Sequence, residues 1–185
     1  YEADAAGNIV RTGVVQAHAT HPKRDIFDLL RNDMFVLPSA ALVSRKAFDA
    51  VGGFDPQFMG FEDDDLFLRI FRKGYSNHFV DKAVTVWCIH TESTSFGIRM
   101  IRSRFKYFKK LAEMFPDEQR RGRYYLRDYL MPRFQPYFMN HAIDALKNDD
   151  SYREETRSIL AEYSSLVLAN PYVQASKKLR LRFML

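Results

Sequence analysis

The sequence predicts an α/β domain over residues 1–95 followed by an α-helical extension over residues 96–185. Three observations carry this. Apolar runs that read as strands, Ile9 to Val15, Met34 to Val43 and Ala83 to His90, occur with short helical patterns before Ser95. A glycine-punctuated acidic stretch, Val51 to Arg69, lies in the middle of that first part. From Phe96 the composition shifts, and apolar residues recur at helical spacing along one face.

Taken in order, Ala6-Gly7-Asn8 reads as a turn and Ile9 to Val15 as a strand. Glu2 and Asp4 alternate as an Asp-x-Asp metal motif would, but no buried strand precedes them, and that reading is rejected. His18 to Lys23 is a loop. Its histidines, His18 and His21, lack a helix or a Cys or Asp partner and read as loop residues. Asp25 caps a short helix over Ile26 to Arg31, with Asp28 at the capping-box position. Met34 to Val43 reads as an apolar strand in which Pro38 marks an edge or a bulge. Ser44 caps a helix over Arg45 to Val51, which Gly52-Gly53 ends. Ala83 to His90 reads as a buried strand through Val84, Val86, Trp87 and Ile89.

The acidic stretch carries Glu62, Asp63, Asp64 and Asp65 in the first turn of a helix. Leu66, Phe67, Ile70 and Phe71 give its apolar face and Gly74 its C-cap. Negative charge suits a helix N-terminus, and plain capping on a solvated face is the simplest account. Four adjacent carboxylates exceed what the dipole needs, however, and Phe54, Phe58, Met59 and Phe61 crowd the approach. Carboxyls beside apolar walls have raised pKa values, which suits a general base. Asp65 and Arg69 lie four apart and read as a structural ion pair. Glu62 and Asp63, at the mouth of the turn, are the site candidates.

Past Phe96, Ile98, Ile101, Phe105, Phe108, Leu111 and Phe115 mark one face of a helix that Pro116 terminates. Arg99, Arg102, Arg104, Lys106, Lys109 and Lys110 make much of the remainder basic. Tyr124 to Asn148 reads as helical with interruptions at Pro132 and Pro136. Ser151 and Glu154 form a capping box for a helix through Leu168, and Tyr172 to Leu185 reads as a last helix, basic at Lys177, Lys178, Arg180 and Arg182.

Composition narrows the classes. With 46% hydrophobic residues the 185-residue chain can build a core. The formal net charge of +5 suits anionic partners without naming one. One cysteine, Cys88, excludes an internal disulfide and fits a reducing compartment. No run of eighteen apolar residues and no signal peptide is found. The chain opens at Tyr1 rather than Met, and a piece of a longer protein is expected.

The segments Arg45 to Asp55, with Val-Gly-Gly-Phe-Asp at its end, and Gly60 to Leu66, with Arg69 beyond, resemble the acceptor-side half of family 2 glycosyltransferases. The resemblance implies the Rossmann-like GT-A fold, of which residues 1–95 would be the C-terminal part. It implies inverting transfer of a sugar from a nucleotide-sugar donor to the hydroxyl of a glycan or lipid-linked acceptor. Asp63, with Glu62 beside it, would be the base. His90 would contact a Mg²⁺ or Mn²⁺ ion or the donor diphosphate, and Thr91 to Ser95 would cover the donor. Arg45, Trp87 and Ser95 would line the donor and acceptor sites, Trp87 having core packing as its plainer role. The nucleotide-binding half that the family places upstream is not in this sequence, so these residues alone are expected not to transfer sugar. The protein would be cytoplasmic, with peripheral contact at the inner face of the membrane through its basic helices. The competing reading is a non-enzymatic basic helical module that docks on acidic lipid or a protein partner. A nucleic-acid binder is set aside because no recognisable module is present.

Overall fold

A computed structural model describes residues 1–89, 98–147 and 151–182. The side chains of residues 146 and 180 are outside that description, and His90 and Ser95 fall outside it altogether. Contacts divide the chain into two compact units, Tyr1–Gly97 and Ile98–Leu185.

The first unit is helical around a small sheet. Strands β1 (Glu2–Ala3) and β2 (Ile9–Arg11) pair antiparallel, and β3 (Trp87–Cys88) joins β1 in parallel, giving the order β2-β1-β3. Asp4 builds the β1–β2 turn. Its Oδ1 accepts the Ala6 and Asn8 N–H groups and its Oδ2 accepts the Asn8 side-chain amide. With Glu2 set against Arg11 at 3.8 Å, both acids of the apparent Asp-x-Asp have local structural partners. The expected strand over Ile9 to Val15 stops at Arg11, and α1 (Val14–His18) begins after Gly13.

Helices α2 (Ile26–Arg31) and α3 (Arg45–Ala50) pack on the longer α4 (Glu62–Arg72). Asp25 caps α2 by accepting the Phe27 and Asp28 N–H groups. Ser44 occupies the N-cap of α3 without a side-chain cap bond. Ala47, Leu66 and Ile70 form a core to which Phe48, Val51 and Tyr75 add. Lys73 closes α4, and Gly74 follows at φ 86°, where a left-handed residue favours glycine.

Two expected strands are corrections. Residues 34–37 and 41–44 have no ladder, and Pro38–Ala40 is a 3₁₀ turn. The physical reason lies in a long-range bond: the Met34 N–H donates to the Asp64 carboxylate on α4, and Phe35 turns to φ 53° beside it. Of Ala83 to His90, only Trp87 and Cys88 join the sheet among the described residues.

The second unit packs α5 (Ile98–Met114), α6 (Met131–Lys147) and α7 (Arg153–Ala169), and α8 (Ala175–Arg182) lies against α7. Its centre is aromatic. Phe108 and Phe138 meet Tyr163 at 5.1 and 4.9 Å between ring centroids, and Phe108 meets Phe134 edge-on at 5.6 Å. Such pairs add ~0.5–1.5 kcal/mol each beyond burial. Pro132 and Pro136 were expected to break the segment. Instead a π turn over Leu126–Leu130 runs into α6, which contains both prolines. Burial of Phe134 and Phe138 in the aromatic centre opposes the ~3 kcal/mol that an interior proline costs. The N-cap of α7 is Tyr152, not Ser151. On the basic side of α5, Arg102 pairs with Glu155 and Lys109 with Glu162, both on α7, while Arg99 and Lys106 are exposed.

Candidate active site

The N-terminus of α4 is where backbone and charge are under most constraint. Phe61, its N-cap, is left-handed at φ 67°. Together with Phe35 it makes the pair of non-glycine residues at positive φ among the described residues. A bulky residue there is strained, and such strain gathers at functional sites. Phe35 neighbours Met34, and Phe61 neighbours Glu62. The two strained residues therefore flank the Met34–Asp64 hydrogen bond from either chain segment.

The four carboxylates divide by task. Asp65 is fully buried, and its Oδ2 lies 2.8 Å from Arg69 Nε. Arg69 spends its other nitrogens on the turn before α4, Nη1 donating to the Val51 carbonyl at 2.7 Å and Nη2 to the Gly53 carbonyl at 2.8 Å. Asp64 is buried and holds the Met34 N–H at 2.7 Å. These two fix the helix to its surroundings.

Glu62 and Asp63 are half-buried, and their bonds stay within their own turn. Glu62 Oε2 accepts the Gly60 N–H at 2.7 Å, and Asp63 Oδ1 accepts the Asp64 N–H at 2.8 Å. Burial pushes the Asp63 carboxyl above the usual carboxylate range, and repulsion from Glu62 and Asp33 adds to it. The Asp64 N–H opposes that shift. A carboxyl so placed is a better proton acceptor than a solvated one.

Asp33 is the residue that sequence reading missed. It follows α2 with no motif of its own, directly before the Met34 tether, and its charge bears on Asp63. The two histidines expected in a loop also belong to this region, His18 as the last residue of α1 and His21 beyond it. His18 meets Phe35 at 4.9 Å, and His21 stacks on Phe79 at 4.4 Å with both ring nitrogens buried. Burial, with Lys23 nearby, lowers the His21 pKa.

Other expected site residues lie elsewhere. Arg45 is 87% exposed, 3.3 Å from Asp49 on its own helix. Trp87 is half-buried in β3, its N–H donating to the Tyr1 carbonyl. Among the described residues no group of three His, Cys, Asp or Glu side chains is arranged to hold a metal ion. His90 and Ser95 have no described position.

Comparison with known proteins bears on this site. Residues 39–94 match the family described as the N-terminal domain of galactosyltransferase, a span under a third of the chain that contains α3 and α4. No curated protein and no solved structure matches the chain. The first unit thus carries a glycosyltransferase-type segment, and its carboxylate-bearing helix lies within it.

Proposed function

We propose that the chain serves an inverting, nucleotide-sugar-dependent glycosyltransferase and that Asp63 is its general base. The observation that carries this reading is the place of Glu62 and Asp63 inside the matched segment: they lie at the start of a helix whose next two acids are committed to structure. The acceptor hydroxyl would give its proton to Asp63 as its oxygen attacks the anomeric carbon. The sugar–phosphate bond would break with its electron pair leaving on the nucleoside diphosphate. Base assistance of this kind is worth about two to four decades in rate. Glu62, held by the Gly60 N–H, would accept a second acceptor hydroxyl and orient the sugar. A GT-A arrangement of the family 2 type is the architecture we propose, with a glycan or lipid-linked acceptor.

A divalent ion, Mg²⁺ or Mn²⁺, would neutralise the departing diphosphate. The described residues alone do not assemble a site for it, and no step above passes through it. His90 is the ligand we propose from this chain, and Trp87, Ser95 and Arg45 are proposed donor and acceptor contacts.

The test is transfer by the full-length protein, followed as nucleoside diphosphate released from a panel of nucleotide-sugars. A galactose donor comes first because of the matched family's description. Asp63→Asn should abolish acceptor-dependent release and leave nucleotide binding within a few-fold. Near-normal turnover by that variant would remove Asp63 from the mechanism. Absence of acceptor-dependent release with every donor would remove the activity.

A further inference from the structure

We propose that one end of the second unit, built from residues 117–127 and 170–182, docks on an anionic lipid surface through Arg120, Lys177 and Arg182. The inference does not depend on sugar transfer. It starts from the uneven distribution of charge: the second unit holds 18 of the 28 Lys and Arg residues but 10 of the 23 Asp and Glu.

Along α5 Arg102, Lys109 and Arg104 are engaged, while Arg99 and Lys106 are exposed. Arg102 and Lys109 pair with α7 carboxylates, and Arg104 lies 4.1 Å over the Tyr137 ring and 2.9 Å from His141 Nε2. The far end of the unit adds further cations. Gln119–Arg121 form a 3₁₀ turn that left-handed Gly122 closes, leaving Arg120, Arg121 and Arg123 exposed. The acids of this end have tasks. Asp117 accepts the Leu126 N–H at 3.2 Å and the Asn170 side-chain amide at 2.7 Å. Glu118 lies 3.0 Å from Arg121, and Asp128 lies 2.6 Å from Arg127.

The 170–182 segment joins the same end. The Tyr172 hydroxyl donates to Gln119 Oε1 at 3.1 Å, and its ring lies 4.7 Å from that of Tyr124. No acid follows Glu162 in the sequence, whereas Lys177, Lys178, Arg180 and Arg182 do. Lys178 is bound to the Leu168 carbonyl, and Lys177 and Arg182 are exposed. Leu181 is buried and anchors α8, while Leu179 stands 54% exposed among the cations.

Cations around an exposed leucine and half-buried tyrosines suit a phospholipid interface. The charges attract headgroup phosphates, and the apolar groups enter the headgroup boundary. A single-stranded nucleic acid would need open aromatic faces for stacking. Here Tyr124 already carries Arg127 at 4.2 Å over its ring and Tyr172 beside it.

The experiment is co-sedimentation with phosphatidylcholine vesicles, with and without phosphatidylserine. The chain should bind only the serine-containing vesicles and release them as salt rises. Each cation near such a surface contributes about fivefold, so Arg120→Gln with Lys177→Gln should weaken partitioning about 25-fold. Both side chains are exposed, and far-UV circular dichroism of the double variant should be unchanged. Arg11→Gln in the first unit should leave partitioning unchanged. Equal binding to both vesicle types would overturn the proposal. So would a double variant that binds as tightly as the original, or displacement from vesicles by a single-stranded oligonucleotide.

Discussion

Replacing Arg69 by alanine should destabilise the first unit by ~3–5 kcal/mol, the cost of removing one partner of a buried ion pair. The structure allows that figure to be worked. Asp65 is 0% exposed and would stay in the interior without its cation, and Arg69 itself is only 17% exposed. Three hydrogen bonds go with it, to Asp65, Val51 and Gly53. At ~1.5–3 kcal/mol for each bond to a charged group, they sum to an upper bound above the quoted range. Water can replace the guanidinium at a turn carbonyl, which brings the estimate back to the lower interval. Trp87 is the single tryptophan of the chain and lies in β3, so its fluorescence during urea unfolding reports on this unit. With a slope of ~2 kcal/mol per molar urea, the midpoint should fall by roughly 1.5–2.5 M. Asp65→Leu combined with Arg69→Met should restore much of the loss, because well-packed apolar pairs replace buried ion pairs at little cost. A midpoint shift below about 0.5 M for Arg69→Ala, or a double variant no better than the single one, would refute the reasoning.

Two further outcomes follow from the titrating groups. Asp63→Asn should stabilise the first unit near neutral pH while silencing transfer. Asp63 has a raised folded pKa, so the folded chain holds its proton more tightly than the unfolded one. Wild-type stability is therefore lost as pH rises from the ordinary 3.8 through the folded value. The gap to the Asn variant should open across that window and close below it, and a pH-independent gap would be the contrary result. His21 has the opposite sign. Its lowered folded pKa means that the unfolded chain takes the proton first, so stability is lost as pH falls from 6.5 toward the folded value. His21→Phe keeps the ring on Phe79 and removes the titration. The Trp87-reported midpoint should then depend less on pH as it falls below 6.5, and an equally steep dependence would show that His21 does not contribute.

Local chemistry was legible in the sequence where the partners are close along the chain. The Asp25 cap, the extent of α4, the Gly74 stop and the pairing of Asp65 with Arg69 all depend on neighbours within a turn. The strand expected over Met34 to Val43 failed for the converse reason. A carboxylate thirty residues away takes the Met34 N–H, and no propensity in the segment announces it. Asp33 was missed with it. In the second unit, Glu155 and Glu162, the partners of Arg102 and Lys109, lie about fifty residues downstream, and the α5 pattern does not announce them. Pro132 and Pro136 looked like breaks because the aromatic centre that holds α6 together is also non-local.

The sharing of tasks among four consecutive acids has a mechanical consequence. Asp64 and Asp65 sit on the same rigid helical turn as Asp63, and each is bolted to a different part of the surroundings. One bolt runs to the Met34 amide and the other to Arg69 and, through it, to the 51–53 turn. Together they act as a two-point mount. Rotating or sliding the start of α4 stretches at least one of bonds only 2.7 or 2.8 Å long. The positional tolerance of the neighbouring carboxyl is thus set by hydrogen-bond length, which is tighter than side-chain packing alone provides.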